Sequence, residues 1–240
     1  MGDLTLLEAT AVTCAIGAGA LVQGSVGFGS ALIAAPLLAL IDPRFVPAPV
    51  IMASFTVTVL IALREHRRLN LRDVGWVVVG RIPGTILGVG ALLFLAPRPL
   101  GLLFALLVIV AVVLLAFGRA PPRNRLTLLA AGLVSGVMGT VTSVGGPPVA
   151  LMFHDAAGPT LRGTLSGYFL LSALISLGGL LLAGLMGVDD VVAYLVLVPG
   201  VVVGFALSHR TRTYLDRGYT RVAVLALSAV AAVGVVFKNL

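Results

Sequence analysis

The 240-residue chain is 59% hydrophobic and only 10% charged, against about 25% charged residues in a soluble domain. With a mean hydropathy of +1.14 and apolar runs long enough to span lipid, this composition excludes a soluble globular fold. The net charge of +7 does not mark a nucleic-acid binder, because the basic residues sit in short loops between apolar runs, a pattern of membrane topology.

The single Cys14 excludes an intrachain disulfide and a cysteine-based metal cluster. Asp3 and Glu8 with no early Lys or Arg argue against a cleaved secretory signal, so the first segment is expected to be retained. Apolar stretches follow in order: Leu4 to Val22, Ala31 to Ile41, Val46 to Leu63, Val74 to Ala96 and Leu100 to Phe117. The pattern restarts with Leu126 to Met138, Val149 to Phe153, Leu165 to Met186, Val191 to Leu207 and Val222 to Phe237, making ten elements. The second and seventh are too short to cross ~30 Å of hydrocarbon at ~1.5 Å per residue, so each is expected to be one arm of a hairpin or broken pair.

The segment Ser135 to Val149 holds four glycines, two adjacent prolines and four hydroxyl residues between uncharged apolar runs. Gly frees the backbone and Pro removes a donor, so the helix is expected to break there. Broken backbone at membrane depth must be shielded by protein or line a wet cavity. A second break is expected over Gln23 to Ser30.

The halves match at an offset of 116: Asp73 falls on Asp189, Pro83-Gly84 on Pro199-Gly200, Gly88 on Gly204 and Pro43 on Pro159. With one residue of slippage, Gly24-Ser25 falls on Gly139-Thr140. The pattern predicts a duplication, with residues 1–118 as one transmembrane repeat and 119–240 as the other. Eleven basic residues lie in the loops at 64–72, 119–125 and 210–221, and these loops share one side if each broken pair makes an even number of crossings. Arg44, Arg98, Arg162 and Lys238 are then assigned to the other side. Each repeat makes an odd number of crossings, so the halves are expected to be inverted. The fold class expected is an all-α polytopic membrane protein of two inverted repeats of about five helical elements, each opened by a Gly-rich broken or re-entrant pair. Inverted repeats with interrupted helices place a transport site near the midplane.

Exposed N–H groups where a half-helix begins favour anions. The candidate substrate-binding residues are Gln23, Gly24, Ser25, Gly27, Gly29 and Ser30 in the first break, and Thr140, Thr142, Ser143, Gly145 and Gly146 in the second. Arg81 joins them: eight positions past Asp73, it lies about 12 Å deep at ~1.5 Å per residue. A charge at that depth costs ~2.5 kcal/mol or more on insertion scales, so it should face a cavity or a partner. Substrate contact, an ion pair with Asp155 or Asp42, and capping of broken-helix carbonyls are the roles open to it.

Gly80, Gly84 and Gly88 form a smooth face for helix packing, repeated in part by Gly200 and Gly204. His154-Asp155 reads as a helix end at the interface before it reads as a proton relay. Ser166, Tyr168 and Ser172, with their approximate counterparts Ser54, Thr56 and Thr58, read first as hydroxyls that bond neighbouring helices. No nucleophile elbow, zinc-protease motif or phosphate loop is present, so no enzyme, metal site or cofactor is expected.

The whole chain resembles the TauE/SafE family of sulfite and organosulfonate transporters. The resemblance rests on Gly24-Ser-Val-Gly-Phe-Gly-Ser30 leading to Pro36-Leu-Leu38, on Ser135-Gly136 leading to Gly145-Gly-Pro-Pro148, and on the duplicated Pro-Gly-x-x-x-Gly at Pro83 and Pro199. The first repeat departs from the usual Gly-Gly-Gly by reading Gly27-Phe28-Gly29-Ser30. The resemblance implies an inner-membrane permease, often an exporter, for sulfite, thiosulfate, sulfoacetate or related small anions. Its partners would be the anion and the lipid bilayer, with no nucleic acid, and a homo-oligomer is compatible with the sequence. Two other readings stay open at this point. One is an intramembrane enzyme or accessory subunit; the other is a metal-cation carrier, disfavoured by the scarcity of intramembrane carboxylates and paired His.

Overall fold

The computed structural model describes residues 5–65, 71–119, 121–153 and 158–215. These residues form nine α-helices: α1 (Leu6–Val26), α2 (Ser30–Ile41), α3 (Ala48–Glu65), α4 (Leu71–Phe94), α5 (Pro97–Phe117), α6 (Arg125–Thr142), α7 (Gly146–Met152), α8 (Gly158–Leu182) and α9 (Val188–Leu215). A single 3-10 turn, Pro43–Phe45, joins α2 to α3. The tenth expected element, Val222 to Phe237, lies outside the described residues, as does the His154-Asp155 pair. Six helices (α1, α4, α5, α6, α8 and α9) are long and apolar enough to cross a membrane, and the chain is a multi-pass membrane protein.

Helix starts follow local chemistry. Thr5 caps α1 through a reciprocal box, in which Glu8 N donates to Thr5 Oγ1 at 3.2 Å and Thr5 N donates to Glu8 Oε2 at 3.0 Å. Asn124 and Thr127 do the same for α6, satisfying amides that the helix leaves orphaned. Pro97 opens α5, and Pro147-Pro148 open α7, where a missing N–H costs least.

Both Gly-rich segments are broken, but over only three residues each. α1 runs on through Gln23, Gly24 and Ser25 to Val26, and the turn is confined to Gly27–Gly29, with φ of 103° at Gly27 and 111° at Gly29. α6 likewise runs through Gly136 and Gly139 to Thr142, turning at Ser143 with φ 64°. A glycine inside a helix costs only ~1 kcal/mol, so tertiary contact outweighs it wherever the missing side chain lets helices close.

That closeness organises the bundle. α4 lies along α6, and α1 along α9, in the two most extensive interfaces of the fold. A methyl at Gly80 or Gly84 would collide with the carbonyl oxygens of Leu129 or Leu133, and one at Gly88 would meet Thr140 Cβ at 2.8 Å. In the other pair, Gly200 meets Thr13 O and Gly204 meets Gly17 O. The expected packing role of these glycines is what the structure shows.

After each turn the chain folds back. A Cβ at Gly19 of α1 would strike Ser30 O at the start of α2. In the second half Ser135 Oγ donates to Gly145 O, and Arg123 Nε, just ahead of α6, donates to Met152 O at the end of α7 at 2.9 Å. α3 and α8 pack beside each other between these hairpins.

Candidate functional site

The turns at 27–29 and 143–145 meet at a cavity of about 60 Å3 enclosed also by α3 and α8. Gln23, Ser30, Ser54, Thr58, Ser143, Ser172 and Arg81 supply its polar lining, and Phe28, Phe55, Phe169 and Ile51 an apolar one. No carboxylate lines it among the described residues. Its polar walls are held in place by paired hydroxyls and amides. Gln23 Nε2 donates to Thr58 Oγ1 at 2.9 Å, the Ser30 and Ser54 hydroxyls lie 2.8 Å apart, and Ser143 Oγ donates to Pro47 O at 2.9 Å.

Arg81 is 3% exposed and borders this cavity. Its Nη1 donates to Ser135 O at 3.0 Å, Ser135 Oγ at 3.1 Å and Tyr168 OH at 3.1 Å. Its Nη2 donates to Ser176 Oγ at 2.9 Å, and its Nε to Ser172 O at 3.3 Å. The guanidinium thus ties α4 to α6 and α8 through neutral oxygens only, leaving a positive charge with no acidic partner among the described residues. Of the two carboxylates considered as its partner, Asp42 is 2.8 Å from Arg44, and Asp155 lies outside the described residues. The carbonyls it caps belong to intact helical turns, not to the broken ends.

Two glycines make room for this charge. A Cβ at Gly139 would sit 2.7 Å from Arg81 Nη2, and one at Gly145 would sit 3.1 Å from Nη1. Gly139 also lines the cavity. In the sequence it marks only the repeat and the break, because its contact with Arg81 depends on how α6 packs.

Of the twelve candidates, Gln23, Gly29, Ser30, Arg81, Ser143, Gly145 and Gly146 border the cavity. Gly24, Ser25, Gly27, Thr140 and Thr142 do not. Gly24 and Ser25 lie at the end of α1, where Gly24 O accepts from Arg64 Nη2 and Ser25 O from Arg162 Nη1 at 3.2 Å. Gly27 packs against Arg162, whose Cα would be 3.0 Å from an added Cβ. Thr140 Oγ1 pairs with Ser176 Oγ at 2.9 Å, behind Arg81. Thr142 Oγ1 donates to Met138 O at 2.7 Å and accepts from Val144 N at 3.1 Å. Conversely, Ser54, Thr58 and Ser172, read first as packing hydroxyls, line the cavity, and Phe28, Phe55 and Phe169 gave no signal beyond their hydrophobicity.

Arg64 and Arg162, expected on opposite sides, both donate to carbonyls at the C-terminal end of α1.

The glycine-lined turns and the buried cation give structural weight to a comparison with known families. A family model described as sulfite exporter TauE/SafE matches residues 11–235. The chain belongs to the TauE/SafE family. No curated protein and no solved structure matches it. As a TauE/SafE member it is a membrane transporter of the sulfite exporter type, and the match takes in every residue of the cavity.

Proposed function

We propose that this TauE/SafE protein carries small sulfur-containing anions, such as sulfite, thiosulfate or sulfoacetate, by alternating access at the cavity between its two broken helices. The observation that carries this reading is Arg81. A buried guanidinium satisfied only by neutral oxygens is a charge awaiting a counter-ion, and the desolvation it has undergone strengthens its attraction for an anion that enters beside it. The α2 amides add to the field, because α2 begins without a side-chain cap. α7 adds little, since Pro147 and Pro148 remove two of its first amide hydrogens.

Inverted repeats, 1–118 and 119–240, supply the mechanism. In support, α4 pairs with α6 as α9 pairs with α1, and these are counterpart helices at the sequence offset. α3 and α8, also counterparts, share their own interface. α1 ends beside Arg64, on the side where α3 hands over to α4, and α6 begins on that same side because it runs parallel to α4. On this reading the two hairpins enter from opposite faces, and rocking of one repeat against the other would expose the cavity alternately. With basic loops in the cytoplasm of a bacterial inner membrane, the inside-negative potential favours anion exit by ~2.3 kcal/mol per charge per 100 mV. Export then needs neither a proton-binding acid nor an ATPase.

The test is saturable flux of labelled sulfite and sulfoacetate in liposomes containing the purified chain. Wild type and Arg98→Gln, which alters an exposed charge, should transport, and Arg81→Gln should not. Absence of saturable flux for all the sulfur anions would reject transport and favour an accessory role. Undiminished flux in Arg81→Gln would remove the charge from the site.

A further inference from the structure

Several buried hydroxyls in the described helices share one habit. Ser25, Thr58, Thr142 and Ser166 each donate to the carbonyl four residues earlier, at Leu21, Ser54, Met138 and Arg162. That is how a helical Ser or Thr satisfies itself where water is excluded. Ser172 of α8 departs from it. The residue is 3% exposed and lines the cavity, yet its Oγ has no hydrogen-bond partner.

The other hydroxyls around the cavity are committed. Ser30 and Ser54 hold each other, Thr58 holds Gln23, and Ser143 holds Pro47 O. Ser176, one turn along α8, is engaged by both Arg81 Nη2 and Thr140 Oγ1. Ser172 is joined to the same cation through its main chain, since its carbonyl accepts from Arg81 Nε at 3.3 Å. The bond fixes the residue beside the positive charge and leaves the hydroxyl unused.

We propose that Ser172 Oγ is a direct donor to the bound oxyanion, and that Arg81, occupied by protein oxygens, acts on the same anion mainly through its field. The inference rests on the reading of the cavity as an anion site and adds to it the residue that makes the contact. A buried hydroxyl left unpaired weakens the empty protein. Bonded to an anion it forms a charge-assisted contact of the stronger kind. One residue therefore lowers the stability of the empty state and raises affinity for the loaded one.

Those opposite signs give the experiment. Full-length wild type, Ser172→Ala and Ser176→Ala are purified in detergent, and melting temperature is followed during titration with sulfite, thiosulfate and sulfoacetate. Ser172→Ala should melt higher than wild type when empty and need roughly ten-fold or more anion for half-saturation, the loss expected for one hydrogen bond to a charged group. Ser176→Ala should melt lower when empty, because it removes a partner of Arg81. A lower empty-state melting temperature in Ser172→Ala would make Ser172 structural, and an unchanged half-saturation would exclude the contact; either overturns the proposal. If wild type itself gives no saturable shift with any of the three anions, the anion-site reading fails first and takes this inference with it.

Discussion

Replacing Gly136 by Ala tests whether the α4–α6 interface sets the position of the buried charge. An added Cβ would lie 2.6 Å from Arg81 O, 2.8 Å from Gly84 Cα and 2.8 Å from Thr85 N, all of them main-chain atoms of α4. Ordinary carbon–oxygen contact needs about 3.4 Å, so the helices must part locally by about 0.8 Å. The same displacement would stretch the bonds from Arg81 Nη1 to Ser135, now 3.0 and 3.1 Å, to about 3.8–3.9 Å, beyond hydrogen-bonding range. Overpacking costs ~1–3 kcal/mol and a hydrogen bond to a charged group ~1.5–3 kcal/mol, against ~1 kcal/mol gained by replacing glycine in a helix. The net loss should be about 1.5–5 kcal/mol. Gly178→Ala in α8 is the control, because nothing lies within 4 Å of its added Cβ; it should equal or exceed wild-type stability. Melting in detergent and anion flux in liposomes should both rank Gly136→Ala well below Gly178→Ala. Equal melting temperatures in the two variants would refute the close contact and the geometry of the site built on it.

Gly139→Ala should damage transport more than stability, since its Cβ meets the side-chain guanidinium of Arg81 at 2.7 Å and not main chain; flux and melting measured together would separate the two. Arg81→Lys keeps the charge but not the planar fork that reaches α6 and α8 together, so flux should fall at least ten-fold while remaining above that of Arg81→Gln. Gln23→Ala and Thr58→Val should be non-additive in melting experiments by ~1 kcal/mol, because the 2.9 Å bond between them is lost in either variant. Gly27→Ala should destabilise more than Gly29→Ala. Both have positive φ, but an added Cβ at 27 also meets Arg162 at 3.0 Å, whereas one at 29 meets only Val22 Cγ1 at 3.5 Å.

Much of this fold is written in local patterns. Runs of apolar residues give the spans, Pro97 and Pro147-Pro148 mark helix starts, and the four-residue spacing of Gly80, Gly84 and Gly88 announces a close neighbour. The neighbour's identity is not local: nothing in the sequence near Gly84 says that Leu133 will face it. The breaks are narrower than the sequence suggests for a related reason, since Gly24, Gly136 and Gly139 look like helix breakers until a packed surface makes their lack of a side chain useful. Arg81 was legible as a buried charge from its depth alone. Its partners were not, because Ser135, Tyr168 and Ser176 come from two helices far along the chain. Ser172 was hardest to see, since an unused hydroxyl differs from a bonded one only by what surrounds it.

The pairing of α1 with α9 also bears on how such a chain is made. Thr13 Oγ1 reaches Val196 O across 183 positions, so at ~5–20 residues per second of translation the first helix leaves the ribosome roughly 10–40 s before its final neighbour exists. Through that interval its glycine-lined groove must be sheltered by lipid or by the insertion machinery. A fragment ending after α5 would hold α1 and α4 without the helices that seat them, so biosynthesis of one half should yield an orphan until the other is supplied alongside it.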